Sequence, residues 1–398
     1  MTERLYYSHP MLTSCDAAVV SCEKAGEGFA VVLDRTIIFP EGGGQPADHG
    51  FIGDARIIDA QEKDGLVYHI CDGEVPAGAG VTVTLDIPRR LDHTQQHTGE
   101  HILSGLAFKL FGAHNVGFHM AEDYCTIDLD ALLDREKLSR LEREANAAVR
   151  AALPVTEEHM DHEALDRISI RKKADIRSDD IRVVFIDGGN IDSCTCCGTH
   201  CANTGEVGYI RIGDSQKYKS GVRLWFSCGG RAVNEAIALT DSITELARSY
   251  STSREELPMA VRKQSDELAA LKRELKARTR ALCGSIAEGC AERNAVIVRE
   301  GFGADDVKML TECVVGAGAE LCLAFGEKDG RLYYRALRSE RSKAPMNELI
   351  KAVNGLVCGK GGGSPAFAQG SAEGRLAPET LETLKSFVQK WAAGNNRS

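Results

Sequence analysis

No stretch of the chain approaches the run of about 18 apolar residues that a membrane-spanning helix needs, so no span is expected. The N-terminal MTERLYYSHPML has no apolar core, so no secretory signal is expected, and the expected compartment is the cytoplasm. Positive charge is in deficit: 48 Lys and Arg face 58 Asp and Glu, for a formal net charge of −10, which disfavours non-specific binding to nucleic acid. Contact with RNA would have to come through local patches. Three runs are basic: Arg171-Lys172-Lys173, residues 272–280 and residues 335–343. Runs of this kind are more often a solvated helix or loop face. What is present is ordinary for a globular protein, with 43% hydrophobic and 27% charged residues over 398, a length that predicts two to three domains. Fourteen cysteines without a secretory leader read as thiols or metal ligands, not as a disulfide network.

Two short motifs carry chemistry. RRLDHTQQHTGEHILSGLAFKLFG has apolar residues three and four apart (Leu91, Ile102, Leu103, Leu106, Leu110), which predicts an amphipathic helix. Residues four apart share one helix face, so two imidazoles spaced in this way can hold one ion. Either His93 with His97 or His97 with His101 satisfies that spacing. A hundred residues downstream, Ser193-Cys194-Thr195-Cys196-Cys197-Gly198-Thr199-His200-Cys201 holds a second four-residue pair, Cys196 and His200. Nitrogen and sulfur donors together suit zinc. Chance supplies either spacing roughly 0.3–0.4 times in a chain of this composition, so spacing alone is weak. Context adds weight: four cysteines in eight residues are hard to explain by packing. His159 and His162 are also spaced for a metal, but the acidic EEHMDHE around them reads as surface.

HTGEHILSG followed by CCGTHCANTGEVGYIRI resembles the editing domain of alanyl-tRNA synthetase and the free-standing alanyl-tRNA editing proteins of the AlaX type. The resemblance implies one zinc ion per chain with ligands His97, His101, Cys196 and His200, and so chooses 97/101 over 93/97. Cys197 departs from the family, which usually has a small residue there. Upstream, Gly42-Gly43-Gly44-Gln45-Pro46 also matches the family and would wall the substrate pocket; the alternative reading is a flexible hairpin loop. Downstream, Cys358-Gly359-Lys360-Gly361-Gly362-Gly363-Ser364-Pro365 is not a nucleotide-binding P-loop, because no Ser or Thr follows Lys360. It resembles the glycine-rich motif of the C-terminal synthetase domain shared with DHH-type phosphoesterases (the DHHA1 module), and reads as a turn whose backbone amides and Lys360 meet an anion.

The expected fold is α+β and multidomain. Residues 1–90 form a small β-barrel from short runs at 17–21, 28–33, 36–39, 56–59, 66–70 and 81–85. Residues 91–230 form the zinc editing domain, with a helix near 134–152. Residues 231–295 form a helical stem in which Leu257, Val261, Leu268, Leu271, Leu275 and Leu282 fit heptad positions. Residues 296–398 form an α/β domain that binds tRNA. A homodimer through the stem or the C-terminal domain is a further expectation.

By resemblance, the substrate is tRNA(Ala) carrying serine or glycine in error, and the reaction is hydrolysis of the ester to the terminal ribose. Glu100 is the candidate proton acceptor, although it points about 100° from His101 around a helix. Gln96, Thr98 and Thr199 are candidate pocket residues, and Thr98 or Gln45 would bind the serine hydroxyl. With no ATP site evident and only ninety residues ahead of the helix, the chain is not expected to charge tRNA. The rival from another class is a zinc-stabilised tRNA-binding protein without catalysis. A DHH-like phosphoesterase lacks its Asp-His-His sequence here.

Overall fold

Alternation of buried and exposed residues along short strands shapes the N-terminal part of the chain, as in Leu66–Cys71, where every second side chain is buried. The computed structural model describes residues 1–172 and 180–395, so Lys173 of the first basic run lies outside the described residues. Six strands close into a barrel in the order Ser14–Ala25, Gly28–Leu33, Leu66–Cys71, Ala55–Lys63, Gly50–Ile52, Gly80–Leu85. Val19, Val31, Leu33, Ile57, Val67 and Val83 fill it.

One expected barrel strand does not belong to the ring. At 36–39 only Arg35–Thr36 is strand, paired in parallel with Glu3–Arg4, and Gly50–Ile52 takes the expected place. The reason lies in side chains that compete for the backbone there. The Phe39 amide donates to Asp48 Oδ2 at 2.7 Å, and the Ile37 carbonyl accepts from Arg90 Nη2 at 2.6 Å. The segment therefore leaves the barrel and leads into the glycine turn.

A helix of 25 residues, Ile87–Phe111, follows. Asp86 caps it by accepting from the Arg89 amide, Pro88 sits in its first turn, and Gly112 ends it in the left-handed conformation. The expected amphipathic pattern understates its burial. From His93 to Ala107 most side chains are buried all round, while Leu91 is exposed. The helix lies against a four-stranded sheet (Ile210–Tyr218, Gly221–Cys228, Cys125–Leu129, Asn115–Met120), the helix Arg135–Arg150 and a three-stranded sheet (Val155–Met160, Ile181–Ile186, Asp192–Thr195). Arg90, fully buried, ties helix to barrel by pairing with the equally buried Asp48 and donating to the Pro10 and Ile37 carbonyls. The helix Gly229–Ser249 comes next.

The chain divides into two compact units, Met1–Glu245 and Leu246–Ser398. Within the second, Leu257–Glu288 is a helix with Pro258 in its first turn, where a missing amide costs nothing. A five-stranded sheet follows in the order Asn294–Glu300, Leu321–Lys328, Arg331–Arg338, Phe367–Glu373, Lys360–Gly363. Its first pair is parallel and the rest antiparallel. Leu323, Phe325, Leu332 and Tyr334 pack one face against the helices Met346–Val357 and Pro378–Asn395. The glycine-rich segment expected to turn is instead the edge strand of this sheet.

Candidate metal centre

Cys196 is the pivot. Its Sγ lies 3.3 Å from His97 Nε2 and 3.4 Å from His200 Nε2. With Zn–S near 2.3 Å and Zn–N near 2.0–2.1 Å, the edge of a tetrahedral site is about 3.5 Å, so these separations match a shared ion. The ligand atoms of His97, His101, Cys196 and His200 all lie within 4.8 Å of one another. Three buried imidazoles and one partly buried thiol form a donor set of the right size and chemistry for zinc. Cys197 stays out of the cluster: it is exposed, and its carbonyl accepts from Tyr7 Oη at 2.9 Å.

Neighbours fix which nitrogen each histidine presents. Gln45 Oε1 accepts from His97 Nδ1 at 2.9 Å and from the Thr199 amide at 3.1 Å. A backbone amide can only donate, which sets the orientation of the Gln45 side chain and places the His97 proton on Nδ1. Nε2 is left with its lone pair toward Cys196. His101 Nδ1 donates to Asp192 Oδ2 at 2.8 Å, and Asp192 is held in turn by Arg171 Nε at 2.5 Å. Such outer partners orient metal-binding imidazoles and raise their basicity. His200 Nδ1 is buried without a partner.

The electrostatics follow from this packing. Burial pushes the Cys196 thiol up, but His97 and His200 outweigh it and bring it well below its ordinary value. Burial pushes the His101 imidazole down, but Cys194 and Asp192 outweigh it and raise it. Burial raises Asp192, yet hydrogen bonds from His101 and Arg171 bring it to about 2. A thiolate beside imidazole groups is the form that binds a cation.

The glycine turn meets this cluster. Gly42 and Gln45 exchange two backbone hydrogen bonds of 3.0 Å around Gly43 and Gly44, both at positive φ (61° and 84°), a type I′ turn. A Cβ at Gly44 would lie 2.9 Å from the Phe118 ring. At Gly198 a Cβ would lie 2.0 Å from His97 Cε1, so the turn between Cys196 and His200 can close only over glycine. Arg182 Nη1 holds that turn by donating to the Cys196 and Gly198 carbonyls, each at 2.9 Å.

Beside the cluster is a cavity of about 290 Å³ lined by Gly43, Gly44, His97, Glu100, Asn115 and Phe118, among others. Glu100 reaches it despite its position around the helix. Its Oε1 accepts from Ser104 Oγ and Asn115 Nδ2, both at 2.5 Å, and its Oε2 lies 3.7 Å from His101 Nε2. The helix is enclosed on so many sides that an offset of about 100° does not remove a side chain from the site.

Other expected residues lie elsewhere. The Thr98 hydroxyl donates to the Thr94 carbonyl at 2.8 Å and accepts from the Cys201 amide at 3.0 Å; it does not line the cavity. Gln45 is fully buried, bonds His97 and Thr199 through its amide, and does not line the cavity. Gln96 bonds the Cys228 backbone and Thr199 bonds Thr94 and Gln45, which makes both structural ties. His93 is buried apart from the cluster, its imidazole lowered to about 3 by burial and by Arg89. His159 pairs with Asp180 at the surface. Arg171, read as part of a basic patch, is an inward-facing support of Asp192. Asp192, Asn115 and Ser104 escaped the sequence reading; only the nearness of Asp192 to Cys194 was a signal. Gly42 shapes the turn, and Lys360 and Gly361 line a cavity in the second unit that Gly362 and Gly363 do not reach.

Comparison with known proteins places these motifs. Residues 181–224 match the family described as the threonyl and alanyl tRNA synthetase second additional domain. The alanyl-tRNA editing protein AlaX-L of Pyrococcus horikoshii is 32% identical over 98% of this chain and 100% of its own length. The alanine–tRNA ligase of Methanopyrus kandleri is 31% identical over 99% of this chain but only 45% of the ligase, so the chain spans less than half of that relative. A solved C-Ala domain of Aquifex aeolicus alanyl-tRNA synthetase covers 23% of this chain and 87% of that one, at 21% identity and a TM-score of 0.22, too low to carry an argument.

Proposed function

The chain belongs to the alanyl-tRNA editing protein family, and we propose that it is an aminoacyl-tRNA deacylase that removes serine, and glycine, from mischarged tRNA(Ala). The observation that carries the reading is the buried His97–His101–Cys196–His200 cluster opening onto a cavity beside the glycine turn. On this reading those four residues hold zinc, which supplies Lewis acidity and a bound water of lowered pKa for ester hydrolysis.

The chain's own groups do the rest. Gln45 and Asp192 keep protons on the Nδ1 atoms of His97 and His101, so that both Nε2 lone pairs face the centre. Glu100, anchored through one oxygen by Ser104 and Asn115, keeps its other oxygen toward the cavity, where it accepts a proton or binds the amino group of the acyl residue. Phe118 and the backbone of Gly43 and Gly44 exclude water and limit the size of the acyl group. Residues 1–90 and 91–230 would form the editing body, 231–295 the stem and 296–398 the tRNA-binding domain, with Lys360 and the glycines after it on the RNA.

Two copies would pair through the stem. Leu268, Leu271, Leu275 and Leu282 are at least half exposed at heptad spacing. In a parallel pair Glu267 of one helix would meet Lys272 of the other, whereas an antiparallel pair would set like charges together. Replacing Leu271 with Glu should then halve the mass in solution, as read by light scattering. No helix among the described residues is long and apolar enough to cross a membrane.

The deciding experiment is incubation with seryl-, glycyl- and alanyl-tRNA(Ala), with and without a chelator. Release of serine and glycine but not alanine, abolished by chelation, supports the reading. Undiminished release by a folded His97→Ala protein removes the metal centre from the reaction, and absence of release by the unmodified chain leaves a zinc-stabilised tRNA-binding protein.

A further inference from the structure

The cluster of His97, His101, Cys196 and His200 has a second side. His97 and His101 line the cavity that reaches Glu100 and Phe118, but His200 does not. It lines another cavity, of about 120 Å³, whose walls include Tyr6, Tyr7, Glu157, Arg182 and Thr199. The N-terminal segment Leu5–Ser8 supplies part of that wall. Tyr7 Oη donates to the Cys197 carbonyl at 2.9 Å, and the Arg182 guanidinium lies 4.5 Å from the centre of the Tyr7 ring. Tyr6 is 1% exposed and meets the Tyr7 and Phe39 rings edge-on, at centroid separations of 4.6 and 5.5 Å. The segment is thereby tied to the turn that carries Cys196 and His200.

Among the described residues, two polar atoms on this side lack a partner. His200 Nε2 lies 3.4 Å from Cys196 Sγ, so the lone pair that a cation needs is on Nε2 and the imidazole proton belongs on Nδ1. No protein group accepts that proton. His97 and His101 differ, because Gln45 and Asp192 hold their Nδ1 atoms. The second unpaired atom is Tyr6 Oη, which is also buried. A buried donor without an acceptor is costly, and a metal-binding histidine almost always donates its other nitrogen to a carboxylate, a carbonyl or water. Both unpaired atoms belong to residues that wall the same cavity. A water needs roughly 10–15 Å³ of such space and two to four polar partners. The cavity has room for several, and its walls carry hydroxyl, carboxylate and guanidinium groups.

We propose that Tyr6 is a positioning residue for the metal centre: water in this cavity accepts the proton of His200 Nδ1 and shares a hydrogen bond with Tyr6 Oη. Tyr6 so does for His200, through water, what Gln45 does for His97 and Asp192 for His101. It touches no reacting atom and acts only by fixing which nitrogen His200 presents. The proposal rests on the assignment of the four ligands to zinc and is independent of which acyl group is removed.

The test compares the full wild-type chain with Tyr6→Phe, which removes one buried hydroxyl and keeps the ring. Zinc affinity is read by competition with a chromogenic chelator, and the histidine Nδ1–H signals by heteronuclear NMR of the zinc-loaded protein. Tyr6→Phe should weaken zinc about tenfold and shift the His200 Nδ1–H signal, while the signals of His97 and His101 stay in place. Thermal melting of the metal-free protein should hardly change. Unaltered zinc affinity, or a His200 signal that stays in place, overturns the proposal. So does a loss of affinity matched by an equal loss of metal-free stability, since Tyr6 would then serve packing alone. If the wild-type chain takes up no zinc, the metal assignment fails and the role of Tyr6 fails with it. If the chain binds zinc but releases no amino acid from tRNA, the deacylase reading fails and the role of Tyr6 is still decided by the variant.

Discussion

Residues 42–44 and 361–363 are both runs of three glycines, yet the first reverses the chain and the second runs straight. Gly43 and Gly44 need glycine for conformation, with φ of 61° and 84°. Gly361 and Gly363 have no positive φ; they need glycine because a Cβ would lie 2.2 Å from the Gln369 carbonyl oxygen and 2.4 Å from that of Phe367. One run lets a loop approach a histidine, and the other lets a strand approach its neighbour. Composition alone cannot distinguish these two demands. The surroundings differ as well: all 11 histidines lie in the first unit, whereas the cavity of the second is lined by arginine, lysine and tyrosine.

The largest expected difference between the regions is catalytic. His97→Ala, or a chelator, should lower deacylation by about 10³-fold or more, while affinity for uncharged tRNA stays unchanged. Equal losses of both would collapse the contrast.

Acid should separate them next. Burial lowers the His69 imidazole, in the barrel core against Thr36, from 6.5 to about 4. The unfolded state therefore binds the extra proton first as pH falls. Stability from this neutral imidazole is full above about pH 6.5 and drains as pH drops toward 4, by about 3 kcal/mol in all. Calorimetry should show the first unit's transition moving down over that window, by less in His69→Gln. A transition that ignores pH there refutes the assignment.

Gln45→Ala removes the acceptor for His97 Nδ1 and should cost about 10–100-fold in metal affinity, read by competition with a chromogenic chelator. The smallest effects test the glycines themselves. Gly44→Ala should cost about 1–2 kcal/mol, from positive φ and the Phe118 contact. Gly362→Ala, with nothing within 4 Å of the added carbon, should stay within about 0.5 kcal/mol by thermal melting. Reversal of that order would mean that the two runs have been assigned the wrong roles.

Much of this was legible in the residues. The spacing of His97 and His101 and of Cys196 and His200 marked two helical-turn pairs, and turn residues between short apolar runs marked most barrel strands. Spacing could not choose His97 with His101 over His93 with His97, because a helix treats the two pairs alike; what differs is that His93 lies beside Arg89 and Arg231, outside the reach of Cys196. The run at 36–39 read as a strand because β-branched and aromatic residues bury well in either state, and its backbone is claimed by Asp48 and Arg90, nine and 53 residues away, which no local pattern encodes. Thr98 and Gln45 read as substrate-facing because both are polar in an apolar setting. Each is in fact a hydrogen-bonded tie within the fold, a distinction that only three-dimensional partners reveal.

Arg90 sets a condition on how the protein can be cut. Its guanidinium is satisfied by Asp48, Pro10 and Ile37, all contributed by the first fifty residues. Any fragment that begins at the long helix would lose every one of these acceptors for a permanent cation. A shortened form of the first unit should therefore keep Pro10, Ile37 and Asp48 together with the long helix.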